Sequence, residues 1–195
     1  MTRPRKQRQQ TGQLRIIGGQ WRGRKLSFVA EEALRPTPDR IRETLFNWLA
    51  PDIHDARCAD LFAGSGALGL EALSRGAAHC DFVDTSSVAI AQVSSHLQTL
   101  DANNRASCHV GTCAHALDTL AGPFDIVFLD PPYSQDLVEP TAQLLDGNNL
   151  LAPGALVYIE MATTSEQPAV PDSWHLHREK VGGGVAYRLY TTGGP

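Results

Sequence analysis

From Arg57 onward the chain alternates between short apolar runs and helical patterns, and that alternation limits its fold more than any other feature. The runs lie near 57–61, 79–83, 106–110, 124–129 and 154–160, and helical stretches near 67–75, 86–101, 113–120 and 136–146 separate them. Strand, helix, strand repetition builds a parallel sheet with right-handed crossovers and helices on both faces. The last segment breaks the pattern: 174–181 and 185–191 are joined by Gly182-Gly183-Gly184, which reads as an antiparallel hairpin closing one sheet edge. At 195 residues the chain can form one α/β domain with a full core and a small appendage.

Open sheets of this kind bind ligands in the crevice at the carboxyl ends of their strands, and two motifs fall there. Asp130-Pro131-Pro132-Tyr133 follows the apolar run Ile126-Val127-Phe128-Leu129. The prolines fix φ and remove two N–H donors, leaving the Asp130 carboxylate and the Pro131 carbonyl as acceptors beside the Tyr133 ring. Two acceptors and a flat ring suit the exocyclic amine of a nucleobase. Taken alone, the motif is explained about equally well as an ordinary strand-ending turn. The second motif tips the balance: Asp60-Leu-Phe62-Ala63-Gly64-Ser65-Gly66 leads from a strand into a helical pattern. Gly64 and Gly66 allow close backbone approach of a ligand, and the amides opening the next helix favour a carboxylate or other anion.

Gly64-x-Gly66-x-x-Gly69 also fits a dinucleotide fingerprint, with Asp84 twenty positions after Gly64. A nicotinamide oxidoreductase is therefore a rival, and Asp84 would hold ribose hydroxyls in either case. Asp130 to Tyr133 separates the two readings, since hydride transfer has no use for it and methylation of an amine does.

Net charge is −4, but residues 1–42 hold 11 Lys plus Arg against 3 acids and the remainder 6 against 18. A basic front on an acidic body is most simply a tail or a solvated face. Here the cations continue through Arg15, Arg22, Arg24, Lys25, Arg35, Arg40 and Arg42, interleaved with Trp21, and basic groups beside a base-sized site favour a polyanionic partner. Residues 14–17 and 25–29 read as strands of a hairpin-like arm, and Thr37-Pro38 as an N-cap followed by proline at the first position of a helix through Trp48. Cys58, Cys80, Cys108 and Cys113 lack metal-site spacing and fall mostly in strand-like runs, where small buried thiols are common. His175-x-His177 has no companions to complete a ligand set, so no metal is expected. No apolar run is long enough for a membrane span and no secretory h-region opens the chain, so a cytoplasmic monomer is expected.

These residues together resemble the bacterial RsmD-type 16S ribosomal RNA guanine-N2 methyltransferases. The match runs from Arg15-Ile-Ile-Gly-Gly-Gln-Trp-Arg-Gly-Arg-Lys25 through Arg35-Pro-Thr-Pro-Asp-Arg-Ile-Arg-Glu-Thr-Leu-Phe-Asn-Trp-Leu49 and Asp60 to Ala72, to Asp130-Pro-Pro-Tyr133 and His177-Arg-Glu-Lys180. The two N-terminal blocks are its most specific part. The resemblance implies a Rossmann-like seven-stranded methyltransferase fold, S-adenosylmethionine as donor, and a guanine of small-subunit ribosomal RNA, free or in a partly assembled subunit, as acceptor. Along the chain, 1–12 reads as a disordered basic tail, 13–50 as an arm and helix, and 51–195 as the methyltransferase domain. Carried over by motif, Asp60, Phe62, Ala63, Gly64, Ser65 and Gly66 hold the methionine end of the cofactor, Asp84 the ribose, and Asp130, Pro131 and Tyr133 act on the base. Arg15, Arg22, Arg24, Lys25, Arg35 and Arg40 face the RNA. One departure concerns the adenine: where such enzymes often present an acid, this chain reads Gly111-Thr112-Cys113-Ala114, leaving backbone amides or the Thr112 hydroxyl for that contact. A DNA adenine-N6 methyltransferase and a noncatalytic ribosomal RNA-binding assembly factor are the competing classes. The first needs a larger recognition segment, and the second does not need both motifs intact.

Overall fold

A computed structural model describes residues 10–30, 37–132 and 136–193. Arg35 and Tyr133 therefore lie outside the described residues, as do residues 1–9 of the expected tail. The central sheet has seven strands. Five are parallel: β3 (Arg57–Asp60), β4 (His79–Asp84), β5 (Ala106–Val110), β6 (Phe124–Leu129) and β7 (Leu151–Ala162). The hairpin of β8 (Trp174–Gly182) and β9 (Val185–Thr192) adds the antiparallel edge, giving the order β5-β4-β3-β6-β7-β9-β8. Order reverses at β3 and β6, so the crevice opens between the ends of these two strands.

Strand alternation sends successive side chains to opposite faces, and each face buries its own core. Cys58, Cys80, Phe82, Phe128, Tyr158 and Leu189 lie on one face, with residues of α1 (Asp39–Trp48), α2 (Ala67–Ser74) and α3 (Ser87–Thr99). Ala59, Leu61, Val83, Val127, Leu129 and Ile159 lie on the other, with those of α4 (Cys113–Leu117) and α5 (Val138–Gly147). Phe46 of α1 meets Phe128 at 5.9 Å between ring centroids and Trp48 meets Tyr187 at 5.5 Å, which seats α1 across the middle of the sheet.

The arm is a two-stranded antiparallel ribbon, β1 (Gln10–Arg15) and β2 (Lys25–Ala30), joined through a 3-10 turn at Gly19–Trp21. Its apolar side chains Leu14, Ile16, Leu26 and Phe28 belong to the α1–α3 core, so the arm is part of the domain's packing. The first strand begins at Gln10, earlier than the expected 14–17, so residues 10–12 of the expected tail are paired with β2. Ile16 still donates its N–H to the Arg24 carbonyl at 3.0 Å, but its own carbonyl accepts the Gly23 N–H at 2.9 Å, so regular pairing ends there. Glu71, completely buried on α2, accepts the backbone N–H groups of Ile17 (2.8 Å) and Gly18 (2.7 Å) and the Arg75 guanidinium (2.8 Å). Such a carboxylate survives burial because every neighbour donates to it. Further along, Ser74 accepts the Trp21 N–H at 3.0 Å, and His96 and Gln92 of α3 bond the backbone of Ser27 and Val29.

Several helix ends differ from expectation, α3 among them, which stops at Thr99 instead of 101. α4 stops at Leu117 instead of 120 and continues as turns, with the Thr119 and Leu120 N–H groups both reaching the Ala116 carbonyl. α5 runs 138–147, two residues later at its start. α1 begins at Asp39 with Pro38 in the capping position and no side-chain cap, so Thr37 is not the N-cap its sequence position suggests.

Candidate active site

Three carboxyl groups gather at the carboxyl ends of adjacent strands on the α1–α3 face. Asp60 closes β3 and is 2% exposed, and its Oδ2 accepts the Gly69 N–H of α2 at 2.9 Å. Asp130 follows β6, and Glu160, also 2% exposed, lies in β7 and accepts the Tyr158 hydroxyl at 2.7 Å. Burial, reinforced by the Asp84 charge and opposed by the Gly69 amide, pushes the Asp60 carboxyl up to about 7. Asp130 is half-buried, with the Thr37 hydroxyl on its Oδ2. Its pKa lies well above the usual carboxylate range, through burial first and then Glu160 and Asp60, opposed by a hydrogen bond from Thr37.

The turn after Asp60 is built by its own neighbourhood. Gly64 (φ +50°) and Gly66 (φ +77°) take left-handed backbone, which favours glycine. The Gly66 N–H closes the turn on the Ala63 carbonyl at 2.6 Å, and the Ala63 N–H reaches the Val83 carbonyl of β4 at 2.9 Å. Ala63 and Ser65 are buried and Phe62 packs against the opposite core. Asp84 stitches this turn to the next unit: its Oδ2 accepts the Gly64 N–H at 2.8 Å and its Oδ1 the Ser86 N–H at 2.8 Å. Gly69 has a different reason to be glycine. A Cβ there would sit 2.2 Å from the Phe82 ring, so α2 can lie on β4 only without a side chain. The capping residue of α2 is Gly66, which offers no side chain, and among the first-turn amides the Gly69 N–H is taken by Asp60. These features fit the amino-acid end of a cationic cofactor, with Asp84 beside it for a ribose.

The Asp130 turn is organised from outside. Thr37, from the segment before α1, donates its hydroxyl to Asp130 Oδ2 at 2.9 Å across 93 positions of sequence. Pro131 is buried and Pro132 exposed. The expected adenine contacts are partly reshaped. Thr112 caps α4, its Oγ1 accepting the His115 N–H at 3.3 Å, and the Cys113 thiol is turned into the α4–α5 core, where burial pushes it up to about 11.

The basic residues do not form one surface at the site. Arg15 pairs with Asp39 at 3.4 Å, at the start of α1 and two residues from Thr37. Arg40 is exposed, its guanidinium beside Gly182 at the β8–β9 tip. Arg22, Arg24 and Lys25 are exposed at the far end of the domain, where the arm crosses the carboxyl ends of α2 and α3, and Arg24 donates to the Thr99 carbonyl at 3.3 Å. That contact caps α3 in the way cations favour helix carboxyl ends. Arg42, which the sequence groups with the basic front, is 1% exposed and bonds Asp39 at 2.7 Å and the Arg15 carbonyl at 2.9 Å. Sequence reading missed Thr37 and Glu160 as site residues. An acid inside the otherwise apolar run 155–161 was the available signal for Glu160.

The sheet order and the paired Gly-rich and Asp-Pro-Pro turns define a class I methyltransferase fold. An RNA methyltransferase from Salinibacter ruber, 15% identical, shares that fold with a TM-score of 0.59 over 82% of this chain and 94% of its own. The chain belongs to the family described as conserved hypothetical protein 95, whose model matches residues 14–191. It is 52% identical over 183 residues to the ribosomal RNA small subunit methyltransferase D of Escherichia coli K12, covering 92% of this chain and 90% of that one. The protein of the same name from Haemophilus influenzae is 46% identical over 185 residues, covering 92% and 94%. The solved structure of the Escherichia coli protein yhhF superposes with a TM-score of 0.84 at 50% identity, over 93% of this chain and 99% of its own.

Proposed function

We propose that this chain methylates the exocyclic N2 amine of a guanine in small-subunit ribosomal RNA, using S-adenosylmethionine. One observation carries the reading: a donor-poor acidic turn at Asp130 stands beside a glycine turn fit for an amino acid, in a chain half identical to ribosomal RNA small subunit methyltransferases. Bound S-adenosylmethionine supplies an activated methyl on a sulfonium, so the protein's part is alignment and electrostatics. Asp130 and the Pro131 carbonyl accept hydrogen bonds from the guanine amine and turn its nitrogen toward the methyl. Asp130 stabilises the positive charge that develops on that nitrogen and then takes its proton. Tyr133, next in sequence, provides a ring for a flipped or unpaired base. Asp84 holds the ribose, and Arg15 and Arg40 meet phosphates next to the target nucleotide. Arg22, Arg24 and Lys25 meet the RNA farther along, because they lie at the other end of the domain.

Incubating the protein with S-adenosylmethionine and small-subunit RNA, free or in partly assembled particles, and digesting the RNA for nucleoside mass spectrometry should yield N2-methylguanosine. Methyl on adenine N6 of DNA instead, or tight RNA binding with no methyl transfer, would place the chain in one of the competing classes.

A further inference from the structure

Asp130 and Glu160 are neighbours by strand register. β6 and β7 pair Leu129 with Ile159, so the next step along the two parallel strands sets Asp130 beside Glu160 on the same face. β3 and β6 pair Asp60 with Phe128, which places a third carboxyl one row behind. Directly adjacent like charges repel, and the repulsion grows where water is excluded, as it is around Glu160 and Asp60. The groups acting on the Asp130 carboxyl are Glu160 of β7, Asp60 of β3 and the Thr37 hydroxyl before α1, two acids and one neutral donor. Glu160 is held in turn by the Tyr158 hydroxyl, and Asp60 by Gly69 with Asp84 behind it. A carboxyl group with a buried acid directly beside it does not ionise readily, and that is the position of Asp130.

We infer that Glu160 is a positioning residue that, with Thr37 clamping the outer oxygen, makes Asp130 one half of a proton-sharing pair whose charge state follows the charge of the bound donor. The inference rests on the proposed reaction. Before binding, the pair keeps a proton. A sulfonium placed against it favours the ionised form, so the pair discharges that proton to solvent and presents Asp130 as a carboxylate to the guanine amine. In transfer the amine nitrogen's electron pair forms the N–C bond, and the C–S bond breaks with its electrons going to sulfur. The proton lost from the methylated nitrogen goes to Asp130. The donor's positive charge vanishes as the pair regains its proton, so the total charge in the enclosed site stays constant between substrate and product. S-adenosylhomocysteine, a neutral thioether at that position, leaves the pair protonated.

Isothermal titration in two buffers of different ionisation enthalpy reads this without RNA. Binding of S-adenosylmethionine should release close to one proton more than binding of S-adenosylhomocysteine, and Glu160→Gln, which keeps an acceptor for Tyr158, should shrink that difference. Asp60→Asn, run alongside, separates that carboxyl's share. In single-turnover methylation, Glu160→Gln should move the acid limb to lower pH and raise the rate below its midpoint by about threefold or more, because a like charge is gone. Thr37→Val should move the limb the opposite way, since the lost hydrogen bond favoured the ionised form, and Thr37→Ser should restore it. Equal proton release with the two ligands, or superimposable profiles for Glu160→Gln and the parent, would overturn the pair. Absence of methyl transfer by the parent would instead overturn the proposed function, while the titrations still decide the pair.

Discussion

The two turns at the carboxyl ends of β3 and β6 do similar duty and are held in opposite ways. Asp60 is satisfied by Gly69, nine residues on, and the glycine turn closes on Ala63 within its own span. Beyond Leu61, whose N–H extends the β3–β6 ladder to the Phe128 carbonyl, its anchor from Gly64 to Asp84 comes from the next strand of the same unit. The Asp130 turn has prolines in place of donors, and its carboxylate is held by Thr37, 93 positions away in sequence, and pressed by Glu160 from β7. The first turn is preassembled by local backbone. The second exists in working form only when the segment before α1 and the C-terminal half of the sheet are both in place. A binding turn can be local, whereas a turn that must tune a carboxyl group draws on the whole fold.

The contrast is most strongly challenged at Asp130 itself. Asp130→Ala should lower single-turnover methyl transfer by roughly a hundredfold or more while leaving the affinity for S-adenosylhomocysteine, which carries no sulfonium charge, nearly unchanged, because the glycine turn does not depend on it. A comparable loss in affinity, measured by calorimetry, would mean that the two turns are one unit. Gly64→Val forces a branched side chain into left-handed backbone and displaces the amide bonded to Asp84, at a cost of about 1–3 kcal/mol in local strain. The expected result is at least about tenfold weaker cofactor binding with the protein still folded by circular dichroism. Unchanged affinity would remove that turn from the site.

A smaller effect separates the turns by pH. Asp60 is raised to about 7, so an unfolded chain releases this proton near the ordinary carboxylate range while the folded one holds it until about 7. The folded state then binds more protons across that window, and stability falls as pH rises through it. Asp60→Asn, which can still accept from Gly69, should remove this decline and gain roughly 1–2 kcal/mol on the parent between pH 5 and pH 8 in urea unfolding. A parent-like pH dependence in the variant would show that Asp60 is not the group responsible. The least effect is expected from the arm. Replacing Arg22, Arg24 and Lys25 together by Gln should flatten the salt dependence of RNA binding by at most about two units in log-log slope, at about 0.7 per single-strand phosphate contact. Cofactor affinity should not move. A slope identical to the parent's would leave these residues as helix caps and solvated surface, with the RNA entering nearer Arg15 and Arg40.

Periodicity and glycine placement by themselves determined the strands, the helices and the Gly-rich turn, because each is favoured by interactions within a few residues. Strand boundaries from β3 to β6 fall within a residue of the apolar runs, and the hairpin after Gly182 lies where its three glycines place it. The chemistry of Asp130-Pro-Pro was legible for the same reason: proline withholds donors wherever it stands. Tertiary structure alone decided which side chains surround that carboxylate. Thr37 looks like a helix cap in sequence and becomes a hydrogen-bond donor to the site, since α1 starts one residue later and crosses the sheet over Phe128. Arg42 looks like part of a basic face and is buried against Asp39, while Arg24 caps α3. Charge counted along a sequence carries no direction. A side chain's role in this domain follows from the face and the end of the sheet it reaches, and those are set by strand register and helix packing between segments far apart in the chain.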